Sequence, residues 1–177
     1  MANPGETNTG PIPSDVGAMR WLWLSAIIVA VDQLTKWAIL VRMELHDRIE
    51  LLPVLGITRM HNTGAAFSFL ADASGWQRWF FIILALVVTV LVAFWLKKLP
   101  ARGKGWLAFG LALIVGGAVG NVIDRIAHGY VVDFISVHYK GWFYPAFNVA
   151  DSAITVGAII LILDSIFEGR RGAADDD

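Results

Sequence analysis

The stretch WFFIILALVVTVLVAFWL, from Trp79 to Leu96, is 18 residues long and contains no charged side chain. Since about 20 apolar residues in a helix cross the hydrocarbon core of a bilayer, it predicts a transmembrane helix. Of the 177 residues, 56% are hydrophobic and 16% are charged, which is too apolar a balance for a soluble domain of this length. We therefore predict an all-α polytopic membrane protein with four transmembrane helices, at about 21–41, 77–96, 106–126 and 149–167.

The loop KKLPARGKG, residues 97–105, holds four basic residues and no acidic one. Short loops rich in Lys and Arg stay in the cytoplasm, so this loop and both chain termini are predicted to be cytoplasmic. Residues 1–19 are rich in Pro, Gly, Asn and Thr, a composition that predicts a disordered tail. A single membrane-embedded domain, residues 20–168, is predicted to follow, with a second cytoplasmic tail at residues 169–177.

The first outer loop is too apolar for a solvated linker. Its residues 48–70, RIELLPVLGITRMHNTGAAFSFL, alternate over short runs that are broken by Pro53, Gly56 and Gly64. Such alternation is typical of strands, so we expect a small extracytoplasmic β-sheet at about 42–75. This sheet would either cap the helix ends or form a cradle that holds an extended peptide by edge pairing. In the second outer loop, the run GWFYPAF is typical of aromatic side chains that anchor a protein at the membrane interface.

Several ionisable side chains lie within or at the ends of the predicted spans, where each costs about 2.5 to 3.5 kcal/mol on insertion scales. Asp32 and Lys36 are at i and i+4 on one face of the first helix and can neutralise each other. For Asp32, Asp124 and Arg125, a structural role in buried ion pairs or helix caps explains the charged side chains at least as well as a catalytic role does. A run of small residues on the third helix favours close helix contact: Ala112, Gly116 and Gly120.

Asp133 in the second outer loop and Asp151 at the start of the fourth helix have no equal supply of cations beside them in sequence. If helices one and three run outward and helix four runs inward, both aspartates lie near the outer membrane face. Two nearby carboxyl groups can share one proton, so that one activates water as a base and the other protonates a leaving amine. This pattern predicts peptide hydrolysis without a nucleophilic side chain. Asp164 lies about 20 Å further along the helix, and we expect it to have no catalytic part.

Other catalytic arrangements have less support. Cysteine is absent, which excludes thiol nucleophiles, disulfides and thiolate metal sites. No HExxH motif occurs, and the four histidines lack the spacing of metal ligands: His46, His61, His128 and His138. A Ser–Lys dyad of Ser68 and Lys36 remains an alternative on residue types.

Two functions without peptide cleavage also remain open. One is a small membrane transporter or proton channel, in which buried carboxylates titrate; the outward clustering of the charges and the lack of a carboxylate relay through the midplane argue against it. The other is an assembly scaffold that uses the small-residue faces, which leaves Asp133 and Asp151 unexplained. A nucleic-acid partner is not expected, because the net charge is -1 and the basic residues are spread out.

Five motifs resemble the lipoprotein signal peptidases, also called signal peptidase II, and they follow that family's order. They are DQLTK at Asp32–Lys36, NTGAAFS at Asn62–Ser68, GGAVGNVIDR at Gly116–Arg125, VVDFI at Val131–Ile135 and FNVADSAI at Phe147–Ile154. The resemblance implies an aspartic endopeptidase of the bacterial inner membrane, with its active site near the periplasmic face. It would remove the signal peptide of a prolipoprotein by cleaving before a cysteine that carries a diacylglyceryl group.

The same resemblance implies roles for individual residues. It assigns catalysis to Asp133 and Asp151. The positions that line the substrate site in the family correspond to Asn62, Asn121, Arg125, Asn148 and Ala150, and the positions that support the site correspond to Asp32, Lys36, Gly64, Gly120 and Asp124. No metal or other cofactor is implied. The expected partners are diacylglyceryl-modified prolipoproteins and membrane lipids, and we expect the protein to act as a monomer.

Overall fold

The computed structural model describes residues 17–64, 75–100 and 103–175, with side chains as far as Glu168. Four helices in these ranges are long and apolar enough to span a membrane, and they confirm the predicted set of spans. They are α1 (Leu22–Arg42), α2 (Trp76–Lys98), α3 (Gly105–Ala127) and α4 (Val149–Asp175). Their bounds lie within about two residues of the predicted ones, except that α4 continues past residue 167 into the predicted tail.

Residues 17–19, predicted as the end of a disordered tail, pack against the end of α2. The backbone N–H of Ala18, which is buried, donates to the carbonyl oxygen of Leu96 at 3.1 Å. The last carbonyls of a helix have no partner within the helix, so this contact satisfies one of them. A short 3-10 helix, Met19–Trp21, then leads into α1. Residues 1–16 lie outside the described residues.

The central helix is α3: most of it is buried, whereas most residues of the spans in the other three helices are only partly buried or exposed. A Cβ at Gly116 would lie 2.9 Å from the carbonyl oxygen of Ser25 in α1, and a Cβ at Gly117 would overlap the carbonyl oxygen of Ala150 in α4. The Ser25 hydroxyl also donates to the carbonyl oxygen of Ala112 at 2.7 Å. The predicted small-residue face is therefore confirmed against α1, and a second one faces α4.

A four-stranded antiparallel sheet is built from the loop between α1 and α2 and the loop between α3 and α4. Its strands, in spatial order, are β1 (Arg48–Leu52), β2 (Leu55–Asn62), β3 (Val131–Tyr139) and β4 (Trp142–Phe143). The first two lie in the region predicted to form a sheet, whereas β3 and β4 come from the loop that holds Asp133, for which no strand was predicted. The start of β3 is buried on both faces, so its residues form an apolar run without the alternation that marks a half-buried strand. Residues 65–74 of the predicted cradle lie outside the described residues.

The sheet places Asp133 in an inner strand. Within the described residues β1 is an outer strand, with β2 between it and β3. Neighbouring strands are about 4.8 Å apart, so a peptide added to the free edge of β1 would lie about 14 Å from β3. Edge pairing at β1 is therefore too distant to present a scissile bond to Asp133.

Candidate active site

Asp133 is a buried carboxyl group on β3, paired across the sheet with Met60 of β2 and only 2% exposed. Asn62 Nδ2 donates to its Oδ2 at 3.0 Å, and Asn148 Nδ2 donates to its Oδ1 at 2.7 Å. Burial and then the charge of Asp151 raise the pKa of Asp133 from 3.8 to about 7, although the two hydrogen bonds act in the opposite direction. Asp133 can therefore gain or lose a proton near neutral pH.

Asp151 lies in the first turn of α4 and is held by the residue that caps this helix. Asn148 Oδ1 accepts from the backbone N–H of Asp151 at 2.9 Å, and Asp151 Oδ2 accepts from the backbone N–H of Asn148 at 3.2 Å. This reciprocal pair has the geometry of a capping box, which explains why α4 begins at Val149. From α3, Asn121 Nδ2 donates to Asp151 Oδ1 at 2.8 Å. Both oxygens of Asp151 are therefore held in fixed positions.

The buried side chain of Asn148 connects the two aspartates. Its amide nitrogen donates to Asp133, and its amide oxygen accepts from the backbone N–H of Asp151. Because a backbone N–H can only donate, the amide oxygen must face Asp151 and the amide nitrogen must face Asp133. Two carboxyl groups from different elements, a strand and a helix, thus converge on one carboxamide.

A cavity of about 440 Å³ lies beside the two aspartates. Six residues that were predicted for the site line it: Asn62, Gly64, Asn121, Arg125, Asp133 and Asp151. Asn148 and Ala150, which the resemblance places along the substrate, are fully buried and are not among the described lining residues. Asn148 holds the aspartates, and the backbone N–H of Ala150 donates to Asp32 Oδ1 at 2.9 Å. Both residues therefore lie where they support the cavity wall.

The cavity is also lined by residues that were not predicted for the site. Most are apolar or aromatic, as is usual in binding pockets: Met60, His61, Phe81, Val131, Tyr144, Pro145, Ala146, Phe147 and Ile154. The positions of these residues in the sequence could have indicated that they line the cavity. Met60 precedes Asn62 by two residues, and alternate residues of a strand share a face. The segment YPAF directly precedes the NVAD motif, so Tyr144, which was predicted as an interfacial anchor, lies beside the aspartates.

Lys36 of α1 forms two buried ion pairs next to this site, one within α1 and one to α3. Its Nζ lies 2.8 Å from Asp32 Oδ2 and 3.0 Å from Asp124 Oδ2, which confirms the predicted pairing of Asp32 with Lys36. Asp124 pairs with Lys36 and not with its sequence neighbour Arg125, since adjacent helix residues point about 100° apart. The backbone N–H of Val132 also donates to Asp124 Oδ2 at 2.9 Å. Asp124 therefore connects α1, α3 and the start of β3.

Arg125 fixes the turn that follows β2. Its Nη2 donates to the carbonyl oxygen of Gly64 at 2.9 Å and its Nη1 to that of Asn121 at 3.3 Å, and its guanidinium carbon lies 5.1 Å from the centre of the Phe81 ring. The backbone N–H of Gly64 donates in turn to Asn62 Oδ1 at 3.0 Å. Arg125 thus positions the amide that binds Asp133, in addition to lining the cavity.

The alternative Ser–Lys dyad is not favoured by these contacts. A lysine that activates a nucleophile must be able to take a proton, whereas the Lys36 ammonium already donates to Asp32, Asp124 and Asn121 at 2.8 to 3.0 Å. Ser68 lies outside the described residues. Within the described part of the chain, no group of three or more His, Cys, Asp or Glu residues could hold a metal ion.

The raised pKa of Asp133 leads us to expect a pH-dependent stability. From 3.8 to about 7, the folded protein keeps a proton on Asp133 that the unfolded chain has lost, so this contribution to the free energy of unfolding falls as the pH rises through the window. Asp133→Asn removes the titrating group. The free energy of unfolding of this variant, and with it the thermal midpoint, should therefore rise relative to the unsubstituted protein across this window and then stay level. The full difference in free energy is up to about 4 kcal/mol.

Thermal unfolding of both proteins in detergent, from about pH 4.5 to 8.5, measures this difference. Carboxylates that do not interact with Asp133 contribute equally to both proteins and cancel in the comparison. Parallel curves over the whole range would contradict a pKa near neutral for Asp133.

Comparison with known proteins agrees with the resemblance found in the sequence motifs. A family model described as Signal peptidase (SPase) II matches residues 24–167. The chain is 49% identical to a lipoprotein signal peptidase of Pseudomonas syringae pv. tomato over 166 residues, which are 93% of this chain and 95% of the relative. It is 50% identical to a lipoprotein signal peptidase of Acinetobacter baumannii over 157 residues, which are 89% of each chain. A solved bacterial membrane enzyme, 32% identical, aligns with a TM-score of 0.76 over 85% of this chain and 90% of its own.

Proposed function

Because the chain belongs to the signal peptidase II family, we propose that it removes signal peptides from prolipoproteins as an intramembrane aspartic endopeptidase. The observation that carries the catalytic assignment is the convergence of Asp133 and Asp151 on Asn148 at the wall of one cavity. Two carboxyl groups and a water molecule are sufficient for peptide hydrolysis. Family membership gives no support to the alternative of a transporter or proton channel.

The proposed chemistry uses the different environments of the two aspartates. Asp133 holds the shared proton near neutral pH, and the Asp151 carboxylate takes a proton from water while the oxygen of that water attacks the carbonyl carbon of the scissile bond. Asp133 then gives its proton to the nitrogen of the leaving amine as the C–N bond breaks. Transfer of the proton from Asp151 back to Asp133 restores the starting state. Asn62, Asn121 and Asn148 hold the carboxyl oxygens during these steps.

The proposed substrate is a prolipoprotein that is cut before a diacylglyceryl-modified cysteine. Phe81 of α2 and Ile154 of α4 belong to spanning helices and also line the cavity, which supports entry of a lipid-anchored residue from the bilayer. Each buried CH₂ contributes about 0.8 kcal/mol, so the acyl chains would dominate the apolar binding energy. The proposed partners are therefore diacylglyceryl-modified prolipoproteins and membrane lipids, and the protein is proposed to act as a monomer.

Cleavage of matched lipidated and unlipidated precursor peptides tests this function. We expect the purified protein to cut the lipidated peptide at the bond before the modified cysteine, with the product mass measured by mass spectrometry. The unlipidated peptide should be cut at least about 100-fold more slowly, because it lacks the acyl chains. Equal rates on the two peptides, or a cut at another bond, would refute the proposed substrate.

We further propose that the protein lies in the bacterial inner membrane, with both termini and the loop after α2 in the cytoplasm and the sheet on the periplasmic side. The basic residues at the end of α2 and the start of α3 support this orientation. The exposed aromatic side chains of β4, Trp142 and Phe143, suit a membrane–water interface on the other side.

Reporter insertions measure the orientation. A reporter that is active only outside the cytoplasm should be inactive when fused after Lys104. It should be active when inserted at Gly141, in the exposed turn between β3 and β4, where insertion disturbs few contacts. The opposite pattern would place the cavity on the cytoplasmic side and contradict the proposed orientation.

A further inference from the structure

Lys36 is a buried cation that the hydrolysis mechanism does not itself use. Its side chain is 2% exposed, and it is not among the described residues that line the cavity. An ammonium group has three N–H donors and no acceptor. Each donor has a partner here: Asp32 Oδ2 at 2.8 Å, Asp124 Oδ2 at 3.0 Å and Asn121 Oδ1 at 3.0 Å. The contacts of Lys36 therefore reach the rest of the site through these three side chains, in addition to the through-space effect of its charge on the two aspartates.

Asn121 is the partner of Lys36 that reaches the dyad. The oxygen and nitrogen of a carboxamide have nearly the same shape, so its orientation follows from its hydrogen-bond partners. Since the Lys36 ammonium can only donate, Asn121 Oδ1 must face Lys36, and Asn121 Nδ2 then points at Asp151 Oδ1, 2.8 Å away. The reversed amide would place N–H groups against the ammonium and an oxygen against the carboxylate. Both of these contacts are repulsive.

We propose that Lys36 is a positioning residue for peptide hydrolysis: by fixing the amide of Asn121 it holds the Asp151 carboxylate where it can take the proton of the attacking water. This inference rests on the proposed function of the site. Asp32 and Asp124 hold Lys36 in place and balance its charge. The arrangement gives a reason for keeping three charged groups buried between membrane helices, where each is costly.

Lys36→Met removes the charge and keeps the approximate length of the side chain. Asn121 Oδ1 then keeps only the longer hydrogen bond from Asn148 Nδ2, at 3.3 Å, so the amide is held less firmly. The kcat for a lipidated prolipoprotein peptide should therefore fall about 100-fold, since small errors in the position of a catalytic group have effects of this size. The KM should change by less than about threefold, because Lys36 does not touch the cavity. A purely structural role would lower the thermal midpoint without lowering the kcat of the folded protein.

A double-mutant cycle tests whether Lys36 acts through Asn121. Asn121→Ala should lower the kcat by itself, and adding Lys36→Met to it should then have little further effect, since the side chain that transmits the influence is already gone. If the two effects on kcat multiply, Lys36 does not act through Asn121 and the proposal is overturned.

Gln33→Met is the matched control. Its Nε2 donates to Asp124 Oδ1 at 2.9 Å and to Asp32 Oδ2 at 3.2 Å, but Gln33 has no hydrogen bond to Asn121 among those of the described residues. The substitution loosens the same charge network, and the kcat of the folded variant should stay within about twofold of the unsubstituted value. A loss as large as that of Lys36→Met would mean that general loosening of the network, and not positioning of Asn121, lowers turnover.

If Lys36→Met does not fold, the pair Lys36→Met with Asp124→Asn removes one carboxylate together with the cation and restores the net charge of the network. Comparison with Asp124→Asn alone then gives the effect of Lys36, with the same expected loss in kcat. Failure of the unsubstituted protein to cleave would contradict the proposed function itself. Normal cleavage with an unchanged kcat in the Lys36 variants would contradict only the positioning role.

Discussion

Asp133→Asn and Asp151→Asn are each expected to lower the turnover of a lipidated prolipoprotein peptide by about 10⁴-fold or more. An asparagine side chain keeps the shape of the aspartate but cannot exchange a proton at neutral pH. The proposed reaction needs one carboxylate to accept a proton and one carboxyl group to donate one, so neither residue can replace the other. The measurement is single-turnover cleavage by purified protein that retains a cooperative thermal transition.

The double variant Asp133→Asn/Asp151→Asn should be hardly slower than either single variant, because members of one catalytic unit are strongly non-additive. Asp164→Asn is the matched control on the same helix. It lies 13 residues beyond Asp151, or about 20 Å along α4, and should leave turnover unchanged. Near-normal cleavage by either single variant of the dyad would remove the aspartic mechanism.

Gly120→Ala is expected to produce a large loss of stability. A Cβ at Gly120 would lie 2.6 Å from Asp32 Oδ2 and 3.4 Å from the Cβ of Ala150. The new methyl group must displace the Asp32 carboxylate, which pairs with Lys36 and accepts from the backbone N–H of Ala150. Disrupting a buried ion pair costs about 3 to 5 kcal/mol, so the thermal midpoint should fall by roughly 10 °C.

Gly105→Ala, in the same helix, is the matched control for this substitution. A Cβ at Gly105 would meet the Trp21 ring at 3.7 Å, which is an ordinary van der Waals distance. Alanine also has a higher helix propensity than glycine, so the thermal midpoint of this variant should be unchanged or slightly higher. If Gly120→Ala kept the midpoint of the unsubstituted protein, α1 and α3 would not be packed as tightly around Asp32 as the distances indicate.

The helices could be predicted from the sequence because a membrane span is a local property. An unbroken apolar run such as Trp79 to Leu96 has few alternatives to a spanning helix. The start of α4 is also local, since Asn148 and Asp151 form the capping box that begins it. The predicted span agrees with the apolar part of α4, Val149–Glu168, and the helix continues beyond it because polar residues after a span can remain helical.

The sheet was predicted only in part because its pairing is not local. Asn62 pairs with Val131, and nothing in either segment alone indicates the other as its partner. Val131 to Phe134 are all buried, so β3 lacks the alternation from which half-buried strands are recognised. Because no strand was recognised in this loop, the aromatic residues that follow were interpreted as membrane anchors. Tyr144, one of them, lines the cavity.

From the sequence, the identity of the site residues could be predicted better than the hydrogen bonds and ion pairs that connect them. The motifs predicted Asp133 and Asp151 as a pair, and the structure adds that Asn148 connects them from a buried position. The partner of Asp124 could not be inferred from helix spacing within α3, because Lys36 lies on another helix. Contacts between elements, unlike spacing along one helix, depend on how α1, α3 and α4 pack around the glycines of α3.

The most direct test of the aspartic mechanism is a structure of the protein bound to a lipidated peptide that carries a secondary alcohol in place of the scissile amide. We expect the alcohol oxygen to lie within about 3 Å of a carboxyl oxygen of Asp133 and of a carboxyl oxygen of Asp151, in the cavity between β3 and α4. A peptide bound along the outer edge of β1, or with its alcohol beyond hydrogen-bond distance of both aspartates, would contradict catalysis by this dyad.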